Sequence, residues 1–391
     1  MILILNPPLG LKELGWALRP VPLRSVSQFE EAFARFASVR YAIAFPYGRV
    51  GLRLLLESLG TTRREVLCPA YTCAAVAHAV VYSGGRPVFI DCRPGEFNMD
   101  LDEAESKVRP DTSAILATSL FGYPVDLDRL DLLARRHPHV NIIHDCAQAV
   151  GARWKGRPVH RNGAASLFGL GIGKPFTSVF GGMVTTDDGE LFDRLRTRRD
   201  RALRSASLGK TFRRFLYLIT SIPGIYRRLF RLLHFCGHWP PVQRWIREEE
   251  ETVLSMPEDS SEQMSALEAR VGQASLSRVP ELLRTRRSAA ECYFETLPES
   301  PDFGLPPRVD GATYSSFVVR VGNREAWVDR GAAAGIQLGT LYEYALPELS
   351  GYATQRGDVC PEAGRLARET IQLPVWGGEP VARKVVRALF P

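Results

Sequence analysis

The chain has 391 residues, 45% of them hydrophobic and 24% charged, with 33 glycines and 27 prolines; that composition excludes a disordered, collagenous or disulfide-stapled miniature protein. Fifty Lys and Arg against 43 Asp and Glu leave a net charge of +7, and the surplus is local: residues 194–231 hold 12 basic residues and one acid, Asp200. No run of 18 uninterrupted apolar residues occurs and MILILNPPLG has no positive lead, so neither a spanning helix nor a secretory signal is expected. Cys68, Cys73, Cys92, Cys146, Cys236, Cys292 and Cys360 are odd in number and lack metal-ligand spacing, which points to a cytoplasmic protein without structural zinc.

In chain order, the first 190 residues alternate short apolar runs with segments of period 3.6. Strands are expected at 41–45, 65–69, 87–91, 113–119, 140–145, 165–170 and 182–186, and helices at 50–60, 74–84, 101–108 and 127–137. This rhythm predicts an α/β fold: a large, doubly wound, mostly parallel seven-stranded sheet over residues 1–200. Residues 201–262 break it with a basic amphipathic stretch, split at Pro223-Gly224, and then WPPVQRWIREEEE; they read as an insertion. Residues 263–391 read as a long connecting helix hinged at Pro280 and a smaller C-terminal α+β domain with a strand at 315–321, a helix near 325–334, the segment GIQLG and a last helix from 380.

Three constellations carry chemistry. Lys174 follows a predicted strand in a segment with five glycines among residues 169–182. Glycines admit close backbone approach, the setting an imine-forming lysine needs; a surface lysine in a flexible loop is the alternative. Asp145 ends an apolar strand, NIIHD, with Gln148 three residues on. A carboxylate there lies where α/β sheets bind ligands, or it caps the next helix. Tyr47-Gly48-Arg49 opens a helix whose first N–H groups suit a phosphate.

The order of these features, with CPAYTCAAVAHAVVYSGGRPVFIDCRPGEFNMD, TSLFGYPVDLD, HDCAQAVGARWKG, MSALEARVGQASL and PEAGRLARETIQLPV, resembles the DegT/StrS family of sugar aminotransferases within the fold type I pyridoxal-phosphate enzymes. The resemblance implies a homodimer that transfers an amino group, with glutamate as donor, to a keto group of a nucleotide-linked deoxysugar for polysaccharide or natural-product biosynthesis. It implies that Lys174 forms the imine with pyridoxal 5'-phosphate and shuttles the proton, that Asp145 pairs with the pyridinium nitrogen, and that Gln148 lies against the ring. Gly48 and Arg49 fall where the family has a phosphate-binding Gly-Thr, and Thr177 at a polar position near the cofactor. Gly169 stands where the family has a phosphate-binding Ser, and Cys73 where it has the aromatic that stacks on the ring. Ser261-Glu262-Gln263-Met264 replaces Asn-x-Arg-Met, and Phe180 replaces a Glu before Gly-Gly. A different pyridoxal-phosphate reaction on a lipid-linked or non-sugar substrate, and a non-catalytic membrane-associated scaffold, stay open.

In 212–235 apolar side chains and arginines segregate on helical projection. The segment reads as a flap packed on a partner subunit with its arginines solvated, as a peripheral contact with the inner face of a membrane, or as a nucleic-acid patch. No recognition helix or RNA-binding fingerprint accompanies it, so no nucleic acid is expected.

Overall fold

The computed structural model describes residues 1–19, 24–235, 254–300, 302–355 and 359–390. The expected WPPVQRWIREEEE segment lies outside the described residues, as do the side chains of residues 230–235.

Two helices, α1 (Leu11–Ala17) and α2 (Ser25–Ala37), precede the first strand. The strands are β1 (Tyr41–Phe45), β2 (Glu65–Pro69), β3 (Arg86–Ile90), β4 (Thr112–Thr118), β5 (Asn141–Asp145), β6 (Arg153–Trp154), β7 (Arg157–Pro158), β8 (Ala165–Gly169) and β9 (Gly182–Thr186). Seven of them form one sheet in the order β1-β9-β8-β5-β4-β2-β3, while β6 and β7 make a separate hairpin. Pairing is parallel from β3 across to β8, and β9 runs antiparallel to both β8 and β1. β4, β8 and β9 are buried at every position, which is why they read as continuous apolar runs rather than alternations.

Helices α3 (Gly48–Ser58), α4 (Ala74–Tyr82), α5 (Leu101–Ser106), α6 (Leu127–Arg136) and α7 (Gly189–Ala202) connect or follow these strands. Asp100, Asp126 and Asp188 cap α5, α6 and α7 by accepting their first backbone N–H groups. Next come α8 (Leu208–Thr220) and α9 (Pro223–Phe235), separated at Pro223 as the sequence predicts. The expected long helix is two: α10 (Ala266–Leu276), held by a Ser265/Glu268 capping box, and α11 (Val279–Thr296), with Pro280 in its first turn, where a missing N–H costs nothing. α2 packs on α10 with the Phe29 ring where a Gly272 side chain would stand.

The smaller C-terminal part is an antiparallel sheet of β10 (Phe303–Gly304), β11 (Phe317–Val321) and β12 (Thr370–Leu373) with α12 (Arg324–Ala333), α13 (Pro361–Glu369) and α14 (Gly378–Leu389). GIQLG forms no strand; it bridges through Ile336 to Ile2 and through Gly339 to Gln372. Together these parts have the architecture of a fold type I pyridoxal-phosphate transferase.

Candidate active site

The parallel register sets Thr118 and Asp145 side by side at the carboxyl ends of β4 and β5. Asp145 is buried; its Oδ1 accepts the Ala147 N–H at 2.9 Å and its Oδ2 the Thr118 hydroxyl at a long 3.4 Å. Burial pushes its carboxyl above the ordinary carboxylate value, against the pull of the Ala147 hydrogen bond, the Lys174 ammonium and Thr118. His144, on the opposite face, is held neutral by burial, its pKa pushed down to about 4.

Lys174 sits in the connection from β8 to β9. Thr177 Oγ1 and Ser178 N–H both donate to the Leu170 carbonyl, and Leu170 N–H donates to Gly181, so the connection closes on itself with Lys174 in the turn. Val179 adopts φ +77 there, a left-handed conformation that a β-branched residue holds only under constraint. The lysine chain folds back over Gly169: a side chain at that glycine would stand 3.2 Å from Lys174 Cε and 3.1 Å from Ala147 Cβ. The Thr177 hydroxyl, which also accepts the Val179 N–H, is thereby spent within its own loop.

Three backbones converge beside the lysine. A Gly182 Cβ would come within 2.6 Å of Gly48 Cα and N, and a Gly48 Cβ within 3.9 Å of Gly169 Cα. The start of β9 can therefore lie against the first turn of α3 only because position 182 is glycine, while Gly48 meets Gly169 at the end of β8 at ordinary contact distance. No side chain caps α3, which leaves its first N–H groups without a side-chain acceptor at this glycine-lined cradle. Arg49, in the same turn, donates weakly to the Ser255 carbonyl at 3.4 Å. Burial, helped by the Arg49 charge, pushes the His78 pKa down to about 4.

Gln148 is fixed at both ends: its Nε2 donates to the Tyr342 hydroxyl at 2.7 Å and its Oε1 accepts the Phe121 N–H at 3.0 Å. Phe121 and Tyr342 both have left-handed backbone, φ 53 and φ 59, and their rings lie nearly parallel with centroids 6.0 Å apart. Neither residue stands out in the sequence; a Phe-Gly pair at 121–122 is the one signal, and Tyr342 lies 194 positions from its partner. Cys73 precedes α4, whose first N–H, at Ala74, is taken by the Tyr344 hydroxyl. Tyr71 is fully buried and bonded to Thr370, edge-on to Phe121 and Tyr342.

The wall behind the cradle comes from α8. Arg214 Nε donates to Glu268 at 2.8 Å, and its Nη2 donates to Asp259 at 2.8 Å and to the Tyr47 hydroxyl at 2.7 Å. Tyr47 is the residue before Gly48 and in turn donates to Asp259. The guanidinium also lies 4.2 Å over the Phe180 ring. The sequence expectation of solvated arginines fails at this residue, which is 3% exposed. Sequence reasoning missed it because all three polar partners are distant in the chain. Among the described residues no cluster of His, Cys, Asp and Glu has the makings of a metal site, and no helix is long and apolar enough to cross a membrane.

Residues 21–385 match a family model described as the DegT/DnrJ/EryC1/StrS aminotransferase family. The chain is 36% identical over 181 residues to a GDP-perosamine synthase of Caulobacter vibrioides, a stretch covering 46% of this chain and 48% of that one; the match thus spans about half the length of that relative. It is 28% identical over 368 residues to a dTDP-3-amino-3,4,6-trideoxy-alpha-D-glucose transaminase of Micromonospora megalomicea, covering 91% and 86% of the two chains. The solved structure of AtS13 from Actinomadura melliaura superposes with a TM-score of 0.78 at 26% identity, over 100% of this chain and 98% of that one.

Proposed function

The chain belongs to the DegT/DnrJ/EryC1/StrS aminotransferase family, and from that premise we propose that it is a pyridoxal-phosphate aminotransferase carrying an amino group from glutamate to a keto group of a nucleotide-linked deoxysugar. The observation that carries the proposal is that Lys174 folds back over Gly169 to the Ala147 turn that follows the buried Asp145, beside the glycines at the start of α3. The residues fit the cofactor: no side chain caps the first N–H groups of α3, and Asp145 Oδ2 keeps acceptor capacity beyond its long contact with Thr118. The working unit in this reading is a homodimer, measurable by light scattering. The relatives named as sugar-nucleotide enzymes support the acceptor class.

Bound there, pyridoxal phosphate supplies an electron sink for the pair left behind when the substrate carbon loses its proton. Asp145 holds a proton on the ring nitrogen, and a cation at that position also draws the carboxyl back toward its ionised form. Lys174 Nζ holds the cofactor at rest and, once freed, takes and returns the proton at the substrate carbon. The α3 N–H groups and the Arg49 guanidinium bind the phosphate, Arg49 doing as a fork of donors what a threonine hydroxyl does elsewhere in the family. Gln148, braced by Tyr342 and Phe121, presents a fixed amide to the ring.

The test is the visible spectrum of purified protein with pyridoxal phosphate, before and after glutamate. A lysine-linked cofactor band that glutamate discharges is expected, with borohydride fixing the label on Lys174. No band and no label would refute the assignment.

A further inference from the structure

Helix α8 is turned the opposite way from an ordinary surface helix. Two of its three cations, Lys210 and Arg214, sit one turn apart on the inner face with Leu218, all three buried. Lys210 Nζ donates to the Glu262 and Gln263 carbonyls, and Arg214 to Glu268, Asp259 and Tyr47. The opposite face carries Leu208, Phe212 and Leu216, spaced by four residues and 89%, 62% and 46% exposed. Ile225, on the adjoining α9, is exposed too, as are Leu11 and Leu18 at the ends of α1, which packs beside α8. A helix placed by burial of its apolar stripe alone would sit the other way round, because burying ionic groups is the costlier arrangement.

The outer face is also of one charge sign. Arg213 flanks the stripe on α8 with its guanidinium 3.5 Å from Asp259, and Arg227 and Arg228 are exposed on α9. The sequence has ten basic residues and no acid from Arg201 to Arg247. A second copy of the chain meeting this face about a twofold axis would set like charges opposite one another, since an isologous contact uses the same patch twice. The chemistry that complements leucine and phenylalanine rimmed by arginine is acyl chain beneath anionic headgroup.

We propose that the outer face of α8, continued by α9, docks the protein on an anionic lipid surface. The stripe enters the acyl boundary while Arg227 and Arg228 meet phosphate groups. Because Arg214 joins the same helix to Tyr47 and Phe180, the docked face lies one helix away from the Lys174 site. The proposal is independent of the reaction assigned to that site.

The test is sedimentation of the full chain with vesicles of phosphatidylcholine alone or with about 30% phosphatidylglycerol, the anionic component that the arginines require. The parent protein pellets with the anionic vesicles, stays in solution with the neutral ones, and is released as salt screens the arginines. The double variant Phe212→Asp, Leu216→Asp changes only exposed side chains; with an unaltered melting temperature and oligomer size, it loses at least about tenfold in vesicle partitioning. Arg227→Glu with Arg228→Glu weakens binding to the anionic vesicles in the same direction. Failure of the parent to pellet, equal pelleting of parent and Phe212→Asp, Leu216→Asp, or dissociation of an oligomer by that variant would overturn the proposal, the last in favour of a contact between copies.

Discussion

Replacing Arg214 by methionine keeps most of the side-chain volume and removes the charge that Glu268 and Asp259 share. Breaking a buried ion pair by removing one partner costs about 3–5 kcal/mol. Here both acids keep other donors: Glu268 retains the Ser265 N–H and hydroxyl at 2.8 Å, and Asp259 retains the Tyr47 hydroxyl at 2.6 Å. The expected loss is therefore at the lower end, about 3 kcal/mol, read as a shift in the urea unfolding midpoint at constant slope. Adding Glu268→Gln recovers part of it by neutralising the stranded charge. The pH dependence supplies the sign. Burial holds the Glu268 carboxyl above its ordinary value, with Arg214 and Lys210 pulling it back. Without Arg214 it rises further, so the penalty is full at pH 8 and shrinks as the pH falls through the raised value and Glu268 takes up a proton. Asp259 acts in the same direction. Burial opposes its ionisation, but Tyr47, Arg214, Lys210 and Arg213 hold it below the ordinary value, so the stability it lends the parent fades on acidification. A loss under about 1 kcal/mol, or a gap between parent and variant that ignores pH, would refute the claim that this network is buried and charged.

Lys174→Ala abolishes both the borohydride-trapped label and turnover, whereas a retained label would place the reactive amine elsewhere. Gly182→Ala sets a methyl 2.6 Å from Gly48, costing about 1–3 kcal/mol; spectroscopic titration shows weaker binding of pyridoxal phosphate, and unchanged affinity would separate α3 from the phosphate. Asp145→Asn stabilises the cofactor-free protein at neutral pH. The raised pKa of Asp145 means the penalty for its charge is absent below the unfolded value of about 3.9 and accumulates as pH climbs through the folded one, so thermal denaturation shows the advantage closing toward acid. Tyr342→Phe frees one end of the Gln148 amide and shifts the bound cofactor's absorption without unfolding the protein, as circular dichroism verifies; an unmoved band would detach Tyr342 from the site.

The strands of the large sheet were legible because burial on both faces writes itself as short apolar runs, and Asp145 was legible because it ends one of them. Lys174 stood out through its glycines, and the structure gives those glycines a reason: Gly169 and Gly182 are spaces into which Lys174 and the α3 backbone fit. What stayed hidden depends on partners far along the chain. Sequence pattern segregated the two faces of α8 without saying which one is inside, since that is decided by Asp259 and Glu268, 45 and 54 residues beyond Arg214. The brace on Gln148 comes from a loop tyrosine with no periodicity around it. The junction at 277–278 leaves no mark in the pattern because Pro280 suggests a hinge within one helix, whereas proline is at home in the first turn of the next.

The seat of α1 on α10 sets an order on biosynthesis. Strands β1 to β9 lie within residues 41–186, and α2 rests on β1 and on Phe168 and Phe176, so sheet and α2 need nothing that comes later to meet. Glu13 of α1, by contrast, is paired with Arg278, 265 residues downstream, and such remote contacts are the slow ones to close. As the chain emerges from the ribosome, its first helix is made early and docked late. A nascent chain that has not yet reached Ser265 thus carries a complete sheet and an unplaced α1, and the resistance of residues 11–17 to protease appears only after α10 is out.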